Sequence, residues 1–290
     1  MQSSNPVFRR AEGFNGRAQT YPASGMRYPA YGSPSAQQGY DTYGGGRGTS
    51  RTDVGLDRGP MTIDSVVQKT GITLGIVILA AAATWILTGD PTGFGPDRDT
   101  AVRSLYLLSM LGAFGGFALS MVNSFKRVVS PALVMAYAVL EGIFVGAFSK
   151  VLEASFGNGI VVGAVAGTFA AVAGTLAAYR FFNIKVSDKF RTWVVAAMFG
   201  FVAISLLDVV LGLFHTSIGF NGFGPVGLLS SILGLGLGVL MLILDFDFVE
   251  RGIAAGLPER ESWRAAFGLT VTIIWIYIEL LRLLAILRGD

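Results

Sequence analysis

From Thr62 onward the chain alternates long apolar runs with short polar connections. Seven runs stand out, at about 71–88, 101–123, 132–152, 160–182, 193–213, 226–244 and 266–287. Each is roughly 18–23 residues long. At about 1.5 Å per residue, a helix of that length crosses a hydrocarbon core of about 30 Å, in some cases with tilt. The connections, such as GDPTGFGPDRD and NIKVSDKFR, are short and polar. The pattern predicts an all-α membrane protein, a seven-transmembrane-helix bundle over residues 63–290 with helix 7 as its central helix. Pro131 fits the first turn of helix 3, where its missing N–H is harmless.

Residues 1–62 carry no such period. They are rich in Gly, Ser, Pro, Gln and Tyr and include Tyr21, Tyr28, Tyr31, Tyr40 and Tyr43. Such a stretch cannot bury enough surface to offset chain entropy, and is expected to be a disordered polar cytoplasmic tail. It has no apolar core of the kind a secretory signal needs.

Composition sharpens this division. The 290 residues are 52% hydrophobic and only 14% charged, about half the charged share of a soluble domain. Residues 1–70 hold 13 of the 41 Lys, Arg, Asp and Glu residues, so the body is more apolar than the average implies. There is no cysteine, which rules out disulfides and thiolate chemistry, and the single histidine, His215, is expected to be a solvated loop residue. A net charge of +3 without a basic, aromatic-interleaved stripe gives no sign of nucleic-acid binding.

Lys and Arg placement sets an expected orientation. One side collects Arg58, Lys69, Lys126, Arg127, Arg180, Lys185, Lys189, Arg191, Arg251, Arg260 and Arg264; the other has Arg98, Arg103, Lys150 and Arg288. The N-terminus is therefore expected in the cytoplasm and the C-terminus outside, in the plasma or inner membrane. Glycines at i, i+4 spacing (Gly112/Gly116, Gly142/Gly146, Gly159/Gly163/Gly167 and Gly234/Gly238) predict close helix–helix packing.

An acid within the bilayer is expensive and is by default a functional candidate. Five qualify: Glu141, Asp208, Asp245, Asp247 and Glu279. Glu141 and Glu279 are expected at a shared mid-membrane level, and Asp208 near the outer end of helix 5, facing water. Asp245 and Asp247 sit at the end of helix 6, about 200° apart around it, so that only one points into the bundle. Local ion pairs compete with function at two of these positions: Asp247 with Arg251 at i, i+4, and Glu279 with Arg282 at i, i+3.

The helix 6 ending LILDFDFVERGI, the helix 7 run AFGLTVTIIWIYIELLRLL and the helix 3 stretch AYAVLEGIFVGAFSKVLE resemble the Bax inhibitor-1 (transmembrane BAX inhibitor motif) family. The resemblance is seen over about residues 65–288, with no counterpart for the tail. It implies an aspartate in helix 6 and another in helix 7, a pH-sensing carboxyl pair that gates a calcium leak in some members. The helix 6 position falls on Asp245 or Asp247, with Asp245 the better match to its neighbourhood. Setting the family's Leu-Leu-Arg on Leu280, Leu281 and Arg282 puts the helix 7 position on Thr272, a departure, because a threonine cannot share a proton as a second carboxyl does. Glu279 lies about 10 Å further along the helix and cannot simply replace that partner.

The resemblance implies a pH-modulated leak channel or transporter for a cation, with calcium as the candidate ion. Asp245, Asp247 and Thr272 would form the gate and pH-sensing position, and Glu141, Glu279 and Arg282 would lie along the ion pathway. Its expected partners are the lipid bilayer, calcium ions and protons. The alternative is a non-transporting regulator of a membrane protease or stress response, with the tail as the contact segment. An intramembrane aspartyl protease is disfavoured, since GLGLGVL lacks the Asp of a Gly-x-Gly-Asp element despite the Pro131-Ala132-Leu133 triplet. No nucleotide or zinc motif is present, so neither enzymatic activity nor a cofactor is expected.

Overall fold

A computed structural model describes residues 59–289 apart from 158 and 183. The predicted disordered tail lies outside the described residues except at 59–62. Seven helices follow in order: α1 (Ile63–Leu87), α2 (Pro96–Phe125), α3 (Pro131–Phe156), α4 (Ile160–Phe181), α5 (Asp188–Leu213), α6 (Pro225–Ala254) and α7 (Glu261–Gly289). All seven are long and apolar enough to span a bilayer.

Every helix except α4 runs beyond its apolar stretch at one end or both, because hydropathy marks only the part in hydrocarbon while polar ends continue helically into the headgroup zone. Local chemistry fixes the starts. Thr62 and Ser65 form a reciprocal capping box on α1, Ser187 caps α5, and proline occupies the first turn of α2, α3 and α6. The largest difference is at α6, which continues ten residues past 244. Asp245 and Asp247 therefore lie inside a regular helix, not at its end.

α7 is central, as expected. It packs against α1, α3, α4 and α6, whereas the α2 backbone approaches α3 and the α5 backbone approaches α6, with Phe201 of α5 also reaching Trp275 of α7. The main core joins Val77 of α1, Ala138 and Val145 of α3, Ala164 of α4, and Leu281 and Ala285 of α7. Small residues make these approaches possible. A Cβ on Gly142 or Gly146 would lie 2.5 Å from the carbonyl oxygen of Val77 or Ala81 in α1. Gly112 meets the α3 backbone at Leu140 and Phe144, and Gly163 and Gly167 meet Leu284 and Leu280 of α7. Gly159 is the exception to the expected packing stripe: it precedes α4 at φ +98°, a conformation that favours glycine.

The basic end is tied together by polar contacts. Met61 N–H donates to Leu257 O at 2.7 Å and Glu259 N–H to Gly59 O at 3.0 Å, an antiparallel pairing between the approach to α1 and the α6–α7 loop. Lys69, counted as a flanking loop cation in the sequence, is buried in α1 and donates to Glu259 O and Oε1 at 3.0 and 3.2 Å. Lys150, counted on the less basic side in the sequence, lies near the end of α3 and donates to Trp85 O, Thr88 O and Thr88 Oγ1, closing the orphan carbonyl end of α1.

Candidate functional site

The α6–α7 interface holds two of the five intramembrane acids, Asp245 and Glu279. Asp245 projects from α6 onto a seat formed by Gly268 and Thr272, one turn apart on α7. Thr272 Oγ1 donates to Asp245 Oδ2 at 2.6 Å. A Cβ on Gly268 would lie 3.4 Å from Asp245 Oδ1, and that oxygen takes no hydrogen bond among the described residues. The sequence pairing of Asp245 with Thr272 is thus a physical contact, and the glycine one turn earlier leaves room for the carboxylate.

Asp247, the other gate candidate, faces elsewhere. Its carboxylate accepts from Arg191 Nη2 of α5 at 2.7 Å and from Arg251 Nε at 2.9–3.0 Å. Arg251 also donates to Val186 O at 2.6 Å. Asp247 therefore fastens α5 and the α4–α5 connection to α6. The two aspartates face different neighbours, as their offset around the helix implies: Asp245 meets the central α7 and Asp247 meets α5.

Glu279 is buried and pairs with Arg282 Nη1 at 3.2 Å. It rests in the notch of Gly234, whose Cβ would come within 2.8 Å of Glu279 Oε1. Arg282 Nη2 extends to Phe220 O at 3.0 Å and Ser230 Oγ at 3.3 Å. The pair couples α7 to the α5–α6 loop as well as neutralising itself. Glu141 lies on a different wall. Its Oε2 would be 2.6 Å from a Cβ on Gly116 of α2, and it has no hydrogen bond or ion pair among the described residues. The two acids face different neighbours, Glu141 towards α2 and Glu279 towards α6.

Asp208 corrects a second expectation. It is 5% exposed and does not face water. Its oxygens accept from Ser217 Oγ at 3.0 Å and from the backbone N–H of Ile218, Gly219 and Asn221 at 2.8–3.2 Å. The loop that follows α5 folds back over it, leaving His215 exposed at φ +58°. Asp208→Ala would leave these donors without their acceptor. Chymotryptic cleavage at Phe214, Phe220 or Phe223 is expected to speed up several-fold in limited proteolysis, with cleavage elsewhere unchanged.

Among the described residues, no group of three or more His, Asp or Glu side chains could hold a metal ion. The sequence missed Lys150, Lys69 and the role of Asp208. The Ser, Gly and Asn residues shortly after Asp208 were the available hint of a turn folded around a carboxylate.

The sequence pattern of the family described as Bax inhibitor 1 like matches residues 5–289. The match begins in the tail, which corrects the expectation that only residues 65–288 have a counterpart there. A protein of Chlamydia muridarum (strain MoPn / Nigg), described as an uncharacterized protein, is 29% identical over 204 residues, covering 67% of this chain and 83% of the relative.

Proposed function

Because the chain belongs to the Bax inhibitor 1 like family, we propose that this multi-pass membrane protein forms a cation leak pathway along α6 and α7, with calcium as the cation and Asp245 as the gate residue. The carrying observation is the contact of Thr272 Oγ1 with Asp245 Oδ2 at 2.6 Å, which leaves the other carboxylate oxygen without a hydrogen bond inside the membrane domain. Hard carboxylate oxygens suit calcium, and a lone acid favours passage over tight retention. Glu279 serves as a secondary acid along the pathway and Arg282 holds it in place, while Glu141 faces α2, off that route. With Thr in place of a second carboxyl, pH modulation runs through one titrating group and not a coupled pair. The basic ends of the helices face the cytoplasm, as does the N-terminus, and the membrane is the plasma or inner membrane. The protein acts without enzymatic chemistry.

Calcium efflux from proteoliposomes tests this reading. Asp245→Asn is expected to reduce flux to the level of empty liposomes. Wild-type flux should follow a single titration, whereas Thr272→Asp should convert the profile to two coupled steps. Wild-type flux no greater than that of empty liposomes at both about pH 6 and about pH 8 would sink the proposal.

A second reading, a non-transporting regulator of a membrane protease or other protein, is favoured by the internal pairing of Asp247 and Glu279, which removes two acids from any pathway. Deleting residues 1–58 discriminates between the two. Flux survives the deletion if the chain conducts, and partner capture is lost if the tail is the contact segment. The deletion stops at 58 because Gly59 and Met61 bind the α6–α7 loop.

A further inference from the structure

The backbones of α1 and α2 stand apart, and both lie on α3. Between them is a cavity of about 740 Å³, at the end opposite the basic loops. That volume falls in the roughly 300–1,000 Å³ range of small-molecule sites. Its lining is graded: Asp97, Thr100, Ser104 and Thr84 occupy the end near the aqueous boundary, while Leu108 and Ile143 lie deeper. The distance along α2 from Asp97 to Leu108 is about 16 Å, roughly half a hydrocarbon core.

The polar part of this lining consists of acceptors. Thr84 Oγ1 donates to Ala80 O at 2.9 Å, Thr100 Oγ1 to Pro96 O at 2.9 Å and Ser104 Oγ to Ala101 O at 2.8 Å. Each hydroxyl hydrogen is thus committed to its own helix, leaving oxygen lone pairs for a ligand. Asp97 adds an exposed carboxylate with no ion pair or hydrogen bond among the described residues. Lys150, which reaches Thr88 on the same wall, directs its three N–H groups to Trp85 O, Thr88 O and Thr88 Oγ1. A lining of this kind complements a donor-rich cation carried on an apolar chain.

We propose that the α1–α2–α3 cavity binds a phospholipid with a primary-ammonium headgroup, its N–H donors on Asp97 and the threonine and serine oxygens and an acyl chain against Leu108 and Ile143. The occupant bridges α2 to α1, giving α2 a second neighbour. This assignment does not depend on cation conduction.

Lipid retention tests it. The full chain is reconstituted in vesicles containing equal parts phosphatidylethanolamine, phosphatidylcholine and phosphatidylglycerol with matched acyl chains. It is then extracted in mild detergent, and the retained lipid is quantified by mass spectrometry. Phosphatidylethanolamine should be enriched about tenfold over phosphatidylcholine, whose methylated ammonium has no N–H to donate. Asp97→Asn, a change at an exposed position, and Ala83→Phe, which fills the cavity without altering charge, should each abolish the enrichment. Equal retention of the two lipids, preferential retention of phosphatidylglycerol, or enrichment that persists in either variant would overturn the proposal.

Discussion

Arg282→Met is expected to destabilise the folded protein by about 3–5 kcal/mol, because it leaves Glu279 as an uncompensated acid in the membrane interior. Arg282 is 7% exposed and Glu279 4% exposed, so little water is available to replace the lost partner. The same change releases Phe220 O and Ser230 Oγ, which both accept from Arg282 Nη2. The double variant Glu279→Gln with Arg282→Met should recover much of the loss, since breaking a buried pair costs far more than removing it whole. Thermal unfolding in detergent, followed across the two single variants and the double variant, measures this coupling directly. Equal unfolding temperatures for Arg282→Met and wild type would show that the pair does not hold α7.

Gly146→Val is expected to have an effect of similar size by a different route. Even the Cβ would stand 2.5 Å from Ala81 O and 2.8 Å from Ala81 Cα. These are backbone atoms that cannot rotate away, so α1 must move off α3. Overpacking of this sort costs about 3 kcal/mol at the upper end of its usual range. Gly174→Ala is the matched control: nothing lies within 4 Å of its added methyl, and helix propensity alone predicts a gain of up to about 1 kcal/mol. Comparing the unfolding temperatures of the two variants separates close packing from intrinsic propensity.

The seven spans were legible in the sequence because length and hydropathy are one-dimensional properties. The C-terminal end of α6 was not. Asp245, Asp247, Glu250 and Arg251 interrupt the apolar run, but the helix continues because Asp247 finds Arg191 on another helix as well as Arg251 on its own. For Glu141 and Glu279 the position along each helix could be read, and an expected depth follows from it. Their facing could not, because it depends on which neighbours surround each helix, and those neighbours turned out to be α2 and α6. The Asp245–Thr272 contact was legible through family resemblance. Asp208 was misread because a loop folding back over a carboxylate leaves only a weak local signature.

The pairing of Gly59 and Met61 with Leu257 and Glu259, together with the Lys69–Glu259 ion pair, bears on how the protein is made. α1 is synthesised first, yet the groups that satisfy its buried lysine are added roughly 190 residues later. At a ribosomal rate of about 5–20 residues per second, that lysine waits on the order of ten seconds or longer. Until the α6–α7 loop emerges, α1 must be held with an unsatisfied cation near its N-terminal end. A nascent chain truncated before Leu257 is left without this closure.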